Sequence, residues 1–206
     1  VKATDAAGNI SAASDSLTMT VDTTAPAQPT ITTTTSLTNN ATPLIEGFAE
    51  AGSTIELFNG SAFLGKTTAD AEGQFSITTP ILSDNNYSLT VKATDAAGNI
   101  STASSELNLT VDSTPPAQPT ITTTTILTSN STSTIEGEAE EGSTVELFDG
   151  SASLGTATAD AAGKFLIEFT TPTLSDNNYS LTVKATDAAG NISEESDGIV
   201  PVQPKI

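Results

Sequence analysis

Carboxylates are the only abundant groups in this chain that could do chemistry. Asp and Glu number 25 against six basic residues, all of them Lys, with no His and no Cys, for a net charge of −19. Nucleophilic catalysis by Ser or Thr needs a base beside the hydroxyl, and here both residue types fall in strand-like runs without one. Paired carboxylates exist, but on shallow repeated domains they do not make a catalytic cleft, so the reading is non-enzymatic. Nucleic acid and anionic lipid are recognised by clustered Lys and Arg and are excluded as partners. Divalent cations fit better, because Ca2+ takes about 6–8 hard oxygen ligands in flexible geometry. Solubility of an exposed protein is the competing explanation of the same acidity.

The acidic residues recur with a period. VKATDAAGNIS stands at residues 1–11, 91–101 and 183–193, and VDTTAPAQPTITTTTSLT at 21–38 returns as VDSTPPAQPTITTTTILT at 111–128. The spacing is 90 residues and then 92, the two extra lying where GQFSIT (73–78) becomes GKFLIEFT (163–170). That period is too long for a solenoid rung and matches one small domain per repeat. The chain therefore divides into the closing hairpin of an incomplete repeat (1–21), a complete repeat (22–111), and a second repeat (112–206). The last strand of the second repeat is divergent and weakened by Pro201 and Pro204. A lone hairpin is marginal in water, so residues 1–21 are expected to be mobile or to complete a sheet in another chain.

Alternating apolar and polar residues between turn formers predict strands at Gln28–Thr33, Thr42–Glu50, Ser53–Phe58, Ala62–Thr68, Gln74–Thr79, Tyr87–Thr94 and Glu106–Val111. Asn59-Gly60 is a hairpin turn. The Thr run 32–35 reads as an edge strand by its β-propensity. Seven short strands with no helical period predict an all-β fold: tandem immunoglobulin-like seven-stranded β-sandwiches strung into an elongated rod. Without Cys or Trp the core is not of the antibody type. It is expected from Ile45, Ile55, Leu57, Phe75, Ile77, Tyr87, Leu89, Val91, Leu107 and Leu109, with Tyr87 alternatively making a corner hydrogen bond.

Because strands alternate in direction, each loop can be assigned to a pole. Asp22, Glu50, Asp70, Asp95 and Asn99 fall at the upper pole of the first repeat, beside the preceding module, together with Glu72. Asp112, Glu140, Asp160, Asp187 and Asn191 repeat the set, with Glu141 alongside and Ala162 at the Glu72 position. These ten residues are the candidate metal ligands, for Ca2+ at each inter-repeat junction. Asp, Asn and Gly are also good turn formers, which is the plainer account of the same positions. Asp84-Asn85-Asn86 and Asp176-Asn177-Asn178 lie at the lower pole and read as turn caps, although Asp84 would come near Asp112 in a stack.

The path from IEGFAEAGSTIELF (45–58) through TADAEGQFSITTP (68–80) and NNYSLTVKATDAAGNIS (85–101) to VDSTPPAQP (111–119) resembles the bacterial Ig-like repeats of giant surface adhesins. These include the Bap-type biofilm proteins and the large repeats-in-toxin (RTX) adhesins secreted by type I systems. The resemblance implies an extracellular stalk or extender at the bacterial cell surface, serving cell adhesion and biofilm formation, with Ca2+ at junctions on Asp22, Asp95, Asp112 and Asp187. Its partners would be neighbouring repeats of the same polypeptide, with host or bacterial ligands reached through other domains, no membrane insertion, and a monomeric state. The alternative is a repeat that itself grips a glycan or a host protein, with Phe48, Phe58, Phe63, Phe148 and Phe169 as the available aromatics.

Overall fold

The computed structural model describes residues 1–123, 132–170 and 180–199. All its regular elements are strands, and among the described residues no helix is long and apolar enough to cross a membrane. The first repeat contains Thr30–Ile31 (β1), Leu37–Thr38 (β2), Leu44–Phe48 (β3), Thr54–Asn59 (β4), Ala62–Thr68 (β5), Gln74–Thr78 (β6), Asn85–Thr94 (β7) and Leu107–Val111 (β8). They form two sheets, β1-β3-β6 and β2-β8-β7-β4-β5. The second repeat contains Thr120–Ile121 (β9), Thr132–Glu138 (β10), Thr144–Asp149 (β11), Ala152–Thr158 (β12), Lys164–Thr170 (β13) and Leu181–Thr186 (β14), in sheets β9-β10-β13 and β12-β11-β14.

Alternation decides which face each strand buries. Along β3, β4 and β6 the inward positions Ile45, Ile55, Leu57, Phe75 and Ile77 are buried, while Glu46, Ser76 and Thr78 face solvent. Leu89, Val91, Ala93, Leu109 and Val111 complete the core from the five-stranded sheet. Each fully buried Ile or Leu contributes about 1.5–3 kcal/mol of transfer free energy, so these few side chains hold the two sheets together. Eight of the ten expected core residues are buried. Tyr87 and Leu107 pack against the core from a half-buried position, and the Tyr87 hydroxyl donates to the Ser83 carbonyl at 2.8 Å, which is the corner hydrogen bond. Gly47 sits directly opposite Phe75, where a Cβ would lie 2.0 Å from the Thr30 carbonyl oxygen and 2.5 Å from the Phe75 ring. Only glycine lets that ring cross the strand, and Gly137 and Phe165 repeat the arrangement.

The Thr run is the main departure from expectation. Thr32–Thr35 is not an edge strand. The chain leaves β1 there and crosses to the other sheet, where β2 pairs with β8 in parallel. A side chain substitutes for the interrupted ladder: Thr32 and Thr33 N–H groups both donate to the Glu46 carbonyl, and the Glu46 N–H donates to Thr33 Oγ1 at 2.8 Å. In residues 1–21 the Thr4–Ile10 bridge forms without a continuing ladder, and every side chain is exposed. The tail beyond Ile199, with Pro201 and Pro204, lies outside the described residues.

Candidate inter-module junction

Register places the candidate residues. Thr54 at the start of β4 pairs with both Thr68 and Thr94, so the turns carrying Glu50, Asp70 and Asp95 lie at one pole, as alternation predicts. Thr144, paired with Thr158 and Thr186, does the same for Glu140, Asp160 and Asp187.

Each D-A-x-G turn is built by its own aspartate. Asp95 Oδ1 accepts the N–H groups of Ala97 at 2.9 Å and Asn99 at 2.8 Å, and Gly98 takes a φ of 93°, which closes the turn without a Cβ. Asp70 Oδ1 accepts from Glu72 at 3.0 Å and Gln74 at 2.7 Å, and Asp160 Oδ1 from Ala162 at 2.9 Å and Lys164 at 2.8 Å. Asp5 repeats the motif in residues 1–21. The turn stands against β7 through two hydroxyls: Ser101 Oγ accepts the Ala93 N–H at 2.9 Å and Ser104 Oγ the Val91 N–H at 3.0 Å. Ser193 and Ser196 do the same for Ala185 and Val183.

The turn residue Asn99 reaches back to the first residue of its own module. Its Nδ2 donates to Asp95 Oδ2 at 2.8 Å and to the Asp22 carbonyl at 3.2 Å. Asn191 Nδ2 donates in the same way to Asp187 Oδ2 and to the Asp112 carbonyl, both at 2.8 Å. Both neighbours of each amide are acceptors, which orients its NH2 group. The Asn99 amide is the main cause that holds the Asp95 carboxyl below the usual aspartate range. For Asp187, burial pushes upward, but the Asn191 hydrogen bonds and the turn N–H groups outweigh it and the net shift is down.

Asp112 is bonded from both sides. Its N–H donates to the Thr38 carbonyl of the first repeat at 2.9 Å, while its carbonyl accepts from Asn191 of the second. The next two residues are held by the lower pole of the first repeat. Asp84 Oδ1 accepts the Ser113 N–H at 2.8 Å and its Oγ at 2.7 Å, and Asp84 Oδ2 accepts Thr114 Oγ1 at 2.6 Å. Those bonds, Thr114 first, hold the Asp84 carboxyl below its ordinary range. Asp112 Oδ1 takes the Thr114 N–H at 3.2 Å, as Asp22 Oδ1 takes that of Thr24 at 3.0 Å. Buried Pro116 then fixes the chain direction, and the Gln118 side chain donates to the Glu195 carbonyl, as Gln28 does to that of Ala103. A Cβ at Gly190 would lie 3.5 Å from Asn39 Nδ2, so the turns of the two repeats meet.

The five candidate ligands of each repeat thus share a pole but not a point. Asp22, Asp95 and Asn99 come together, as do Asp112, Asp187 and Asn191. Asp70 and Asp160 are engaged by their own turns, and Glu50 and Glu140 remain exposed. Among the described residues no group of three or more acidic side chains is placed to hold a metal ion. Asp84, expected near Asp112, comes beside it by gripping the two residues that follow. Thr38, Asn39, Ser113 and Thr114 went unnoticed in the sequence, where a hydroxyl pair after each VD was the available signal. Asp176, Asn177 and Asn178 lie outside the described residues.

Residues 27–113 match the bacterial Ig-like domain family, and residues 116–201 match a second family described as bacterial Ig domain. Both repeats are bacterial Ig-like domains. Among curated proteins the chain is 33% identical to Exoglucanase B of Cellulomonas fimi, over 95% of this chain and 19% of that protein. It is 30% identical to Chitinase A1 of Niallia circulans, over 87% of this chain and 26% of that protein. It therefore spans about a fifth to a quarter of these relatives' length, and Ig-like domains are typically non-catalytic modules. The fibronectin(III)-like modules of Clostridium thermocellum CbhA superpose with a TM-score of 0.56 at 18% identity, covering 84% of this chain and 93% of that one. A biofilm-associated protein BSP domain matches at 21% identity with a TM-score of 0.37, covering 87% of this chain and 30% of that one.

Proposed function

We propose that these bacterial Ig-like domains are an extender segment of an extracellular protein at the bacterial surface, holding adhesive domains away from the cell. The observation that carries this reading is Asp112, whose two peptide groups are bonded into different repeats, so that each linker residue from Asp112 to Thr114 is held by hydrogen bonds. A joint held in this way transmits orientation from one module to the next, which a spacer requires and a flexible tether does not. The ten-residue strand β7 is about 33 Å long, so two modules end to end give roughly 70–90 Å. Small-angle scattering should return a maximum dimension in that range; a value near 50 Å, that of two modules folded side by side, would sink the extender reading. Cell attachment should fall when the segment is deleted from its parent protein and return when a rigid rod of equal length replaces it. Return only with the native segment would instead establish it as a binder.

Ca2+ belongs to this proposal at Asp22, Asp95 and Asn99 and at Asp112, Asp187 and Asn191. The backbone carbonyl and the carboxylate there suit a hard ion, whereas the amide turns its NH2 group toward both. The ion would supply charge neutralisation at a strongly acidic pole. Melting in excess EDTA and in millimolar Ca2+ tests it, and identical melting temperatures would remove Ca2+ from the reading.

The curated relatives favour a second reading, a spacer between the domains of a secreted polysaccharide-degrading enzyme, because 33% identity runs over 95% of the chain. The domains flanking this segment in its parent protein separate the two readings, since only the enzyme spacer is joined to a glycosidase. Binding by the modules themselves has less support: Phe58 and Phe63 stack edge-on at 6.0 Å on the outer face, but Ser153 replaces Phe63 in the second repeat.

A further inference from the structure

Asn59-Gly60 is the one place in the chain where glycine follows asparagine, and the second repeat carries Asp149-Gly150 at the same turn. Gly60 and Ser61 close the β4–β5 hairpin, with Gly60 at a φ of 58° and Gly150 at 59°. The turn is open to solvent, and a Cβ at Gly60 would meet nothing within 4 Å. Only one end of the Asn59 side chain is engaged. Its Oδ1 accepts the Ser88 N–H of β7 at 3.1 Å, while among the described residues its Nδ2 donates to nothing. The Gly60 N–H reaches the Ser88 carbonyl at 3.4 Å, longer than the usual range of about 2.7–3.2 Å, so its nitrogen is weakly held.

We infer that Asn59 is a self-modification site, at which the folded hairpin converts the asparagine to aspartate without an enzyme. The Gly60 nitrogen loses its proton to hydroxide and attacks Asn59 Cγ, closing a succinimide ring. The Cγ–Nδ2 bond breaks, and Nδ2 takes a proton from water and leaves as ammonia. A water molecule then opens the ring. Attack at Cγ breaks the new bond to the Gly60 nitrogen and restores the backbone with an aspartate side chain. Attack at the backbone carbon breaks the original peptide bond instead and leaves an isoaspartate. Either way one water is consumed and one ammonia released, with no oxidant or reductant. Ser88 decides between the two routes. Addition at Cγ puts negative charge on Oδ1, in ring closure and again in ring opening, and the Ser88 N–H already faces that oxygen. The same bond polarises Cγ and not the backbone carbonyl, so aspartate is the favoured product. Aspartate keeps the oxygen that Ser88 needs, and the second repeat already holds it there. Asn99 and Asn191 are the opposite case, because each Nδ2 is bonded to two acceptors and isoleucine follows. Each conversion adds one negative charge to an exposed hairpin, so the charge of a long-lived chain grows with age.

The test is to hold the whole folded chain in mildly alkaline buffer and follow both the ammonia released and, by peptide mapping, the mass and linkage at each asparagine. Asn59 should convert at least about tenfold faster than any other asparagine, a modest part of what a fully buried oxyanion donor supplies, because Ser88 is only partly buried. Its rate should match or exceed that in urea, where the Ser88 contact is absent, and aspartate should outweigh isoaspartate in the folded chain only. Asn59→Gln lengthens the side chain past easy ring closure and should abolish the fast release of ammonia. Asp149→Asn rebuilds the turn in the second repeat, where residue 149 pairs with Leu181 as Asn59 pairs with Leu89, and should add a second fast equivalent. A folded chain that converts residue 59 well below its rate in urea would overturn the site. So would isoaspartate in excess in the folded state, fast ammonia release that survives Asn59→Gln, or no second equivalent from Asp149→Asn.

Discussion

Replacing Asn191 by aspartate sets the amide clamp and the ion against each other. Asn191 is 8% exposed, and its NH2 group answers two oxygens, Asp187 Oδ2 and the Asp112 carbonyl, at 2.8 Å each. Asn191→Asp keeps the size of the side chain, removes both donors and puts a second negative charge beside Asp187. Losing the bonds leaves two acceptors unanswered at about 1–3 kcal/mol. Repulsion between two carboxylates about 4 Å apart would add about 4 kcal/mol at an effective dielectric near 20, and the partial exposure of Asp187 cuts this to about 1. In EDTA the second module should therefore lose about 2–4 kcal/mol, seen as an earlier urea transition with the first module's transition unmoved. The same change creates an all-oxygen site. With a dissociation constant on the order of 0.1–1 mM, 10 mM Ca2+ would return about 1.4–2.7 kcal/mol. A variant as stable as the native chain in EDTA would refute the amide clamp. A destabilised variant that Ca2+ does not rescue would refute the ion at this junction while leaving the clamp intact.

Two further perturbations bear on the same architecture. Ser104→Ala leaves the buried Val91 N–H without its acceptor and should cost about 1–3 kcal/mol in urea unfolding of the first module; a loss below about 0.3 would mean the hydroxyl is dispensable. Asp84 has a carboxyl whose folded-state pKa is depressed, so the order it imposes on the linker is fully present above the ordinary aspartate value near 3.9 and is lost as pH falls through the lowered value. Scattering should report a more flexible joint in strong acid, well below the ordinary aspartate range, than at pH 7. Asp84→Asn, which keeps one acceptor and has no charge to titrate, should lose that part of the pH response.

Legibility in the sequence followed the strength of the local signal. The period of Ile45, Ile55, Leu57, Phe75 and Ile77 placed the core because alternation maps directly onto the two faces of a strand. The D-A-x-G turns located the acidic pole for a similar reason, since Asp and Gly there perform a backbone task that few residues can share. The split of the first strand into β1 and β2 was hidden because threonine suits a strand as well as it suits this crossover, where Thr33 hydroxyl and backbone finish the ladder. Nor does a repeated Asp distinguish an ion ligand from a turn cap; both call for an acceptor at the same place, and the cap is seen only once the Ala97 and Asn99 N–H groups are placed on Asp95 Oδ1. The sequence places carboxylates at the junction, whereas the partners of Asp112 and Asp84 are half backbone groups and half neutral side chains, whose pairing no composition reveals.

The two-sided bonding of Asp112 also bears on how such arrays lengthen. One acceptor, the Thr38 carbonyl, belongs to the preceding repeat, and one donor, Asn191, to the following one, while the residue between them comes with the linker. Every repeat that carries the equivalents of Thr38, Asp84, Asp112 and Asn191 therefore presents half of a joint at each end. Unequal recombination between corresponding positions of any two repeats would leave each new boundary with both halves. Copies could be gained or dropped without a joint ever being redesigned, and reach would become a quantity that selection adjusts in whole modules.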